Sequence, residues 1–84
     1  MTTRLQAAAQ ALVPEIRALR YELHQHPEIR FQEQWTSDRI ARFLTENGIP
    51  HTRGHAKGTG IVASITGSGG DGVVALRADI DALE

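Results

Sequence analysis

The sequence predicts an α/β fold, two N-terminal helices followed by a β-hairpin, on three observations. Leu5, Leu12, Ile16, Leu19 and Leu23 recur at steps of seven, four, three and four, the period of one helical face. Seven of the eight glycines fall between Gly54 and Gly72 and none lies in residues 1–47, so the chain changes character near Gly48. Beyond that boundary, Ile61-Val62-Ala63 with Ile65, and Val73-Val74-Ala75-Leu76, are apolar runs of strand length.

The first helix is expected over about residues 3–25, with Glu15, Arg17, Arg20 and Glu22 on its outer side. Pro14 lies inside it and predicts a kink or a break, because proline lacks the N–H that an interior position donates. Pro27 stops the helix. A second helix over about residues 36–47 is carried by Trp35, Ile40, Phe43 and Leu44. Thr36, Ser37 or Asp38 supplies its N-cap, and Asn47-Gly48 its left-handed exit. Strands follow at about 61–66 and 73–78, with Gly67–Gly72 as the hairpin loop between them. Ile49 to Arg53 offers a third strand.

A chain of 84 residues allows one small domain with a thin core. It has no cysteine, which excludes a disulfide scaffold, a zinc finger, an iron–sulfur site and a cysteine nucleophile. Acidic and basic groups balance to a net charge of −1, and they balance within each half, so neither half presents the basic face that nucleic acid or an anionic membrane requires. No apolar stretch approaches the ~20 residues that span a bilayer. The N-terminus is too polar for a secretory signal, and a cytoplasmic location is expected.

Two glycine patterns imitate a nucleotide-binding fingerprint, Gly58-Thr59-Gly60-Ile61-Val62-Ala63 and Gly67 to Gly72. Each feeds a strand, whereas the fingerprint needs a helix N-terminus to hold the pyrophosphate. His24 and His26 form an H-x-H pair at a helix end, where residues two apart diverge, so they read as imidazoles bonding the last carbonyls rather than as a metal pair. His51 and His55 read as loop residues. The informative segment is Val73 to Leu83, an apolar strand running into Asp79 and Asp81. On an extended backbone both carboxylates project to one side, fit to hold a divalent cation or orient a metal-bound histidine. Arg77 shares that side, and an Arg–Asp pair closing a strand end explains the same spacing equally well. An Asp-x-Asp after a strand is also similar to the phosphatases of the haloacid dehalogenase type, but their motif continues with Gly or Thr where Ala82 and Leu83 stand here.

Three strings in order, Leu19-Arg20-Tyr21-Glu22-Leu23-His24-Gln25-His26-Pro27-Glu28, Gly58 to Ala63, and Leu76-Arg77-Ala78-Asp79-Ile80-Asp81-Ala82-Leu83, resemble the N-terminus of the metal-dependent amidohydrolases. That group includes hippurate hydrolase, indole-acetyl-amino-acid hydrolases and aminoacylase-like carboxypeptidases, and the match runs from about Val13 to Leu83. The resemblance implies that residues 1–84 are the opening part of a zinc-peptidase-like α/β catalytic domain, with the downstream catalytic part and the lid or dimerisation domain absent. It implies a homo-oligomeric parent with two divalent ions, zinc, manganese or nickel, that activate a water for attack on the amide of an N-acyl amino acid, hippurate-like or N-acetylated.

In the family the ligands lie downstream, in a Cys-Gly-His-Asp-like motif, a glutamate and further histidines, so no metal ligand is assignable in this chain and no tightly bound ion is expected on it. Asp81 stands where the wider superfamily places an aspartate that orients the metal chemistry, and Asp79 where other branches carry a histidine ligand. Ile80 replaces a frequent Met, and Glu84 a usual Pro. The motif is followed by a single residue, so the resemblance leads to the expectation of a fragment, inactive alone. The alternative is a non-catalytic α/β module that contacts a protein partner through its strand edge.

Overall fold

The structure is a computed structural model and describes residues 3–83. Helix α1 spans Arg4–His24 and opens on a capping box: the Thr3 hydroxyl accepts from the Gln6 amide at 3.0 Å, and the Gln6 side chain accepts from the Thr3 amide at 2.8 Å. The helix runs through Pro14 as one element and does not break there. The carbonyl that Pro14 leaves without a donor belongs to Gln10, which is exposed and open to water. The chain leaves the helix three residues before Pro27, with the Gln25 amide donating to the carbonyls of Tyr21 and Glu22.

Helix α2 spans Gln34–Glu46, starting two residues earlier than the sequence predicts. Thr36, Ser37 and Asp38 are not its N-cap; all three lie inside the helix, and Thr36 and Ser37 are buried there. Glu33 occupies the cap position without a side-chain cap bond, because its carboxylate is turned to the Thr59 hydroxyl at 2.6 Å. The helix exits as expected. Gly48 adopts φ +67°, the Ile49 amide donates to Leu44, and the Asn47 side chain donates to the Phe43 carbonyl at 2.8 Å.

Strand β1, His51–His55, pairs antiparallel with β2, Gly60–Ala63, in the register His51 to Ala63, Thr52 to Val62 and Arg53 to Ile61. The register shifts between Arg53 and His55, at the bulge made by Gly54 with φ +86°. A single 3-10 turn, Ala56–Gly58, joins the strands. Gly60 packs closely, since a Cβ there would lie 3.0 Å from the backbone of His55 and that backbone would have to give way.

The hairpin is therefore real but differently composed. Its partners are the segment expected as an optional third strand and the first half of the expected 61–66 strand, which stops at Ala63. The expected strand 73–78 is irregular chain with no strand partner among the described residues, and Gly67–Gly72 closes no hairpin there. Four residues separate His55 from Gly60, so this pairing closes a short loop, and it leaves Val73, Val74 and Leu76 at 91, 88 and 96% exposure. His51 and His55, expected in a loop, bound β1 instead.

The interior lies under the N-terminal turns of α2 and is mostly polar. Ala41 is the buried apolar residue among the described residues, beside buried Glu33, Thr36, Ser37 and Thr59. The stripe on α1 does not form a core, for no residue of α1 is buried and Leu5 is 79% exposed. Side-chain ties hold the elements together. Glu22 pairs with Arg39 at 3.0 Å and Arg42 at 3.6 Å across the two helices. Arg53 on β1 donates to Ser37 and pairs with Asp38 on α2. Lys57 sits 4.7 Å over the Phe31 ring, and Phe31 takes φ +64° in the turn between the helices.

Because the Glu33–Thr59 bond is buried and involves a charge, Thr59→Val leaves the carboxylate without that donor. The expected loss is about 1.5–3 kcal/mol in urea unfolding, with an unchanged slope.

Candidate functional site

The end of α1 and the residues that follow it set one wall of a cleft. The His26 Nδ1 lies 3.0 Å from the Glu22 carbonyl, and since a carbonyl only accepts, Nδ1 carries the proton. This is the helix-end role expected for an imidazole there. The same ring stacks on Trp35, with centroids 3.6 Å apart and planes 13° from parallel, which brings the start of α2 against the end of α1.

Pro27 then turns the chain, and Glu28 meets the first turn of α2. Its Oε1 accepts from the Thr36 amide at 2.6 Å and its Oε2 from the Trp35 amide at 3.1 Å. A helix start leaves such amides without partners, and a carboxylate from outside the helix satisfies two of them. Burial alone raises the Glu28 pKa, but the hydrogen bonds of Thr36, the Trp35 amide and the nearby His26 outweigh it and hold the carboxyl below its ordinary value.

The opposite wall is the acidic segment. The main-chain carbonyl of Glu28 accepts from the Ala82 amide at 2.7 Å, which lays Ala78–Ala82 across from Leu23, His24, His26 and Ile40 around a cleft of about 510 Å³. Asp79 and Asp81 both line it. Arg77 does not line the cleft but pairs with Asp79 at 2.9 Å, and both groups are largely exposed, so the pair contributes little to stability. Asp81 has no ion-pair partner among the described residues.

The structure thus brings together two strings far apart in sequence, His24 to Glu28 and Asp79 to Asp81. No group of three His, Cys, Asp or Glu side chains among the described residues is placed to hold a metal ion. Neither glycine pattern opens a helix: Gly58 and Gly60 belong to the hairpin, and Gly67–Gly72 is irregular chain. His51 bonds the Ile49 carbonyl, and His55 bonds the Thr52 hydroxyl, both away from the cleft. Sequence reasoning gave Glu28, Trp35 and Glu33 no role at the site. The one available signal was an acid a few residues ahead of a helix start, and its loop distance hid which amides it reaches.

The chain is similar to hydrolases along most of its length. It is 45% identical over 65 residues to the N-acetylcysteine deacetylase of Bacillus subtilis, covering 77% of this chain and 17% of that one. It is 42% identical over 72 residues to the N-acetyl-L-cysteine deacetylase of the same organism, covering 86% and 17%. To thermostable carboxypeptidase 1 of Saccharolobus solfataricus it is 38% identical over 65 residues, covering 77% and 16%. Over the residues it spans, this chain belongs to the amidohydrolase family. It spans about a sixth of the length of these curated relatives. No protein-family model matches it, and no solved structure does.

In this amidohydrolase segment the Glu28 carboxyl ionises at a lower pH when folded than its ordinary 4.5. Its contribution to stability is complete above about pH 4.5 and is lost as the pH falls through the lower folded value. Native chain is expected to lose more stability than Glu28→Gln as the pH falls from roughly 6 to 3, read from urea midpoints.

Proposed function

We propose that this chain is the opening part of the catalytic domain of a longer amidohydrolase that cleaves the amide bond of N-acyl amino acids, N-acetylated or hippurate-like, with a metal-activated water. The observation that carries the reading is the cleft, where Asp79 and Asp81 face the His24–Glu28 string in a chain 45% identical to a deacetylase. Asp81 orients the reacting groups. Arg77 offsets the charge of Asp79, while Asp81 stays unpaired and available.

The described residues do not fit a complete metal site, since no three potential ligands meet. No metal-dependent step follows from them, and in the proposed longer protein the zinc, manganese or nickel ions are held by residues that this segment does not include. Two carboxylates on an exposed segment supply neither a ligand set nor a shielded general base, so the chain by itself is catalytically silent. A cytoplasmic, homo-oligomeric parent completes the proposal, on the resemblance.

The test is a chimera in which this chain replaces the matched 65 residues of the B. subtilis N-acetylcysteine deacetylase. The chimera is expected to release acetate from N-acetylcysteine, and Asp81→Asn in it to lower kcat by about 10²-fold or more with a small change in KM. The 84-residue chain assayed with zinc or manganese is expected to release none. Turnover by the chain alone, or an undiminished Asp81→Asn chimera, overturns the reading.

A second reading, a non-catalytic module that acts through a strand edge, is favoured by one observation. Val73, Val74 and Leu76 are exposed on backbone that has no strand partner among the described residues. A defined dimer with a cooperative, metal-insensitive melt supports it against the enzyme fragment.

A further inference from the structure

We propose that Glu28 is the positioning residue for the acidic segment, fixing where Asp79 and Asp81 stand relative to the start of α2. The proposal rests on the reading of those aspartates as part of the amidohydrolase site. Among the described residues, the Ala82 amide makes the one main-chain hydrogen bond that ties residues 65–83 to the rest of the molecule, and its acceptor is the Glu28 carbonyl. Glu28 is in turn held from its other end. Its two carboxylate oxygens are taken by consecutive amides of α2 at 2.6 and 3.1 Å, which fixes the side chain by two charge-assisted bonds.

One residue therefore spans the gap between a helix and the acidic segment, side chain on the helix and carbonyl on the segment. Pro27 precedes it with φ restricted near −65°, which limits the directions from which the chain enters Glu28. The nearby ion pair of Arg77 and Asp79 lies within the segment and anchors it to nothing else. Strand pairing gives no alternative hold, because Val73–Leu76 has no partner among the described residues. Removing the anchor carboxylate frees the carbonyl, and the aspartates move with Ala82.

Amide exchange at Ala82, read by NMR in the 84-residue chain, tests this independently of catalysis. In the native chain Ala82 is expected to exchange more slowly than Ala78 and Leu83 beside it. Glu28→Ala is expected to speed it about tenfold, the equivalent of a lost helix cap, and Glu28→Gln to recover part of the protection with its single acceptor oxygen. Thr59→Val weakens the other anchor at the start of α2 and is expected to leave Ala82 within about twofold, which separates positioning from general loosening.

An Ala82 amide as free as its neighbours in the native chain overturns the proposal, as does an equal response to Glu28→Ala and Thr59→Val. If circular dichroism shows that Glu28→Ala has lost its helices, Glu28→Gln decides: faster exchange at Ala82 supports the role, and unchanged exchange overturns it. Failure of the functional reading shows separately, as an Asp81→Asn chimera with full activity, and leaves the exchange result standing.

Discussion

A helix that begins in the interior must find partners for its first amides, and in this chain the arrangement of almost everything else follows from how α2 does so. Its own cap residue, Glu33, is engaged with Thr59 in the hairpin, so the amides of Trp35 and Thr36 are satisfied by Glu28 instead. Two carboxylates thus tie the helix start to other parts of the chain, Glu28 drawing in the loop after α1 and Glu33 the turn before β2. Both interact favourably with the positive end of the helix dipole. The stacked His26 and Trp35 close the same junction from the side.

This explains why the interior is polar. With no aliphatic side chain buried on α1 and Ala41 alone buried among the apolar residues of α2, hydrophobic burial does not select the packing. Directional bonds do. Glu33 to Thr59, Arg53 to Ser37 and Asp38, and Glu22 to Arg39 each join elements distant in sequence. Charged hydrogen bonds of this kind are worth about 1.5–3 kcal/mol each when shielded and much less when exposed, so the buried Glu33–Thr59 pair outweighs the surface pairs such as Arg77–Asp79.

Both helices were legible because their signals are local: the leucine period of α1, the aromatic and aliphatic set of α2, and the Asn47-Gly48 exit. The start of α2 was not, since the residues that look like caps, Thr36 to Asp38, lie beyond an N-terminus whose amides are served by an acid six residues before the helix. The hairpin was expected between the two most apolar runs, but β1 is His51–His55, a polar segment that periodicity does not mark. Proximity chose it, through a short turn that Ala56 and Lys57 enter with positive φ, at 47° and 65°. Of the site, Asp79, Asp81 and Arg77 were read from their spacing, and the Arg77–Asp79 pair formed as that spacing suggested. The meeting of those acids with the His24–Glu28 string was not legible, because one main-chain bond from Ala82 to Glu28 creates it, and main-chain bonds leave no mark on composition.

That bond also fixes what the acidic segment can do. A carboxylate that orients reacting groups has to be held to about 0.5 Å, and side chains on paired strands reach such precision more readily than those on free chain. Here Asp79 and Asp81 follow an apolar run whose backbone has no partner among the described residues, so their placement comes from behind, at Ala82, and not from the strand that leads to them. A segment held at one end pivots about that end. A partner strand on Val73–Leu76 would hold the segment at both ends and remove the pivot. In the proposed function the exposed apolar run and the acidic pair are therefore parts of one device: burial of the first would sharpen the position of the second, with Glu28 as the fixed point between them.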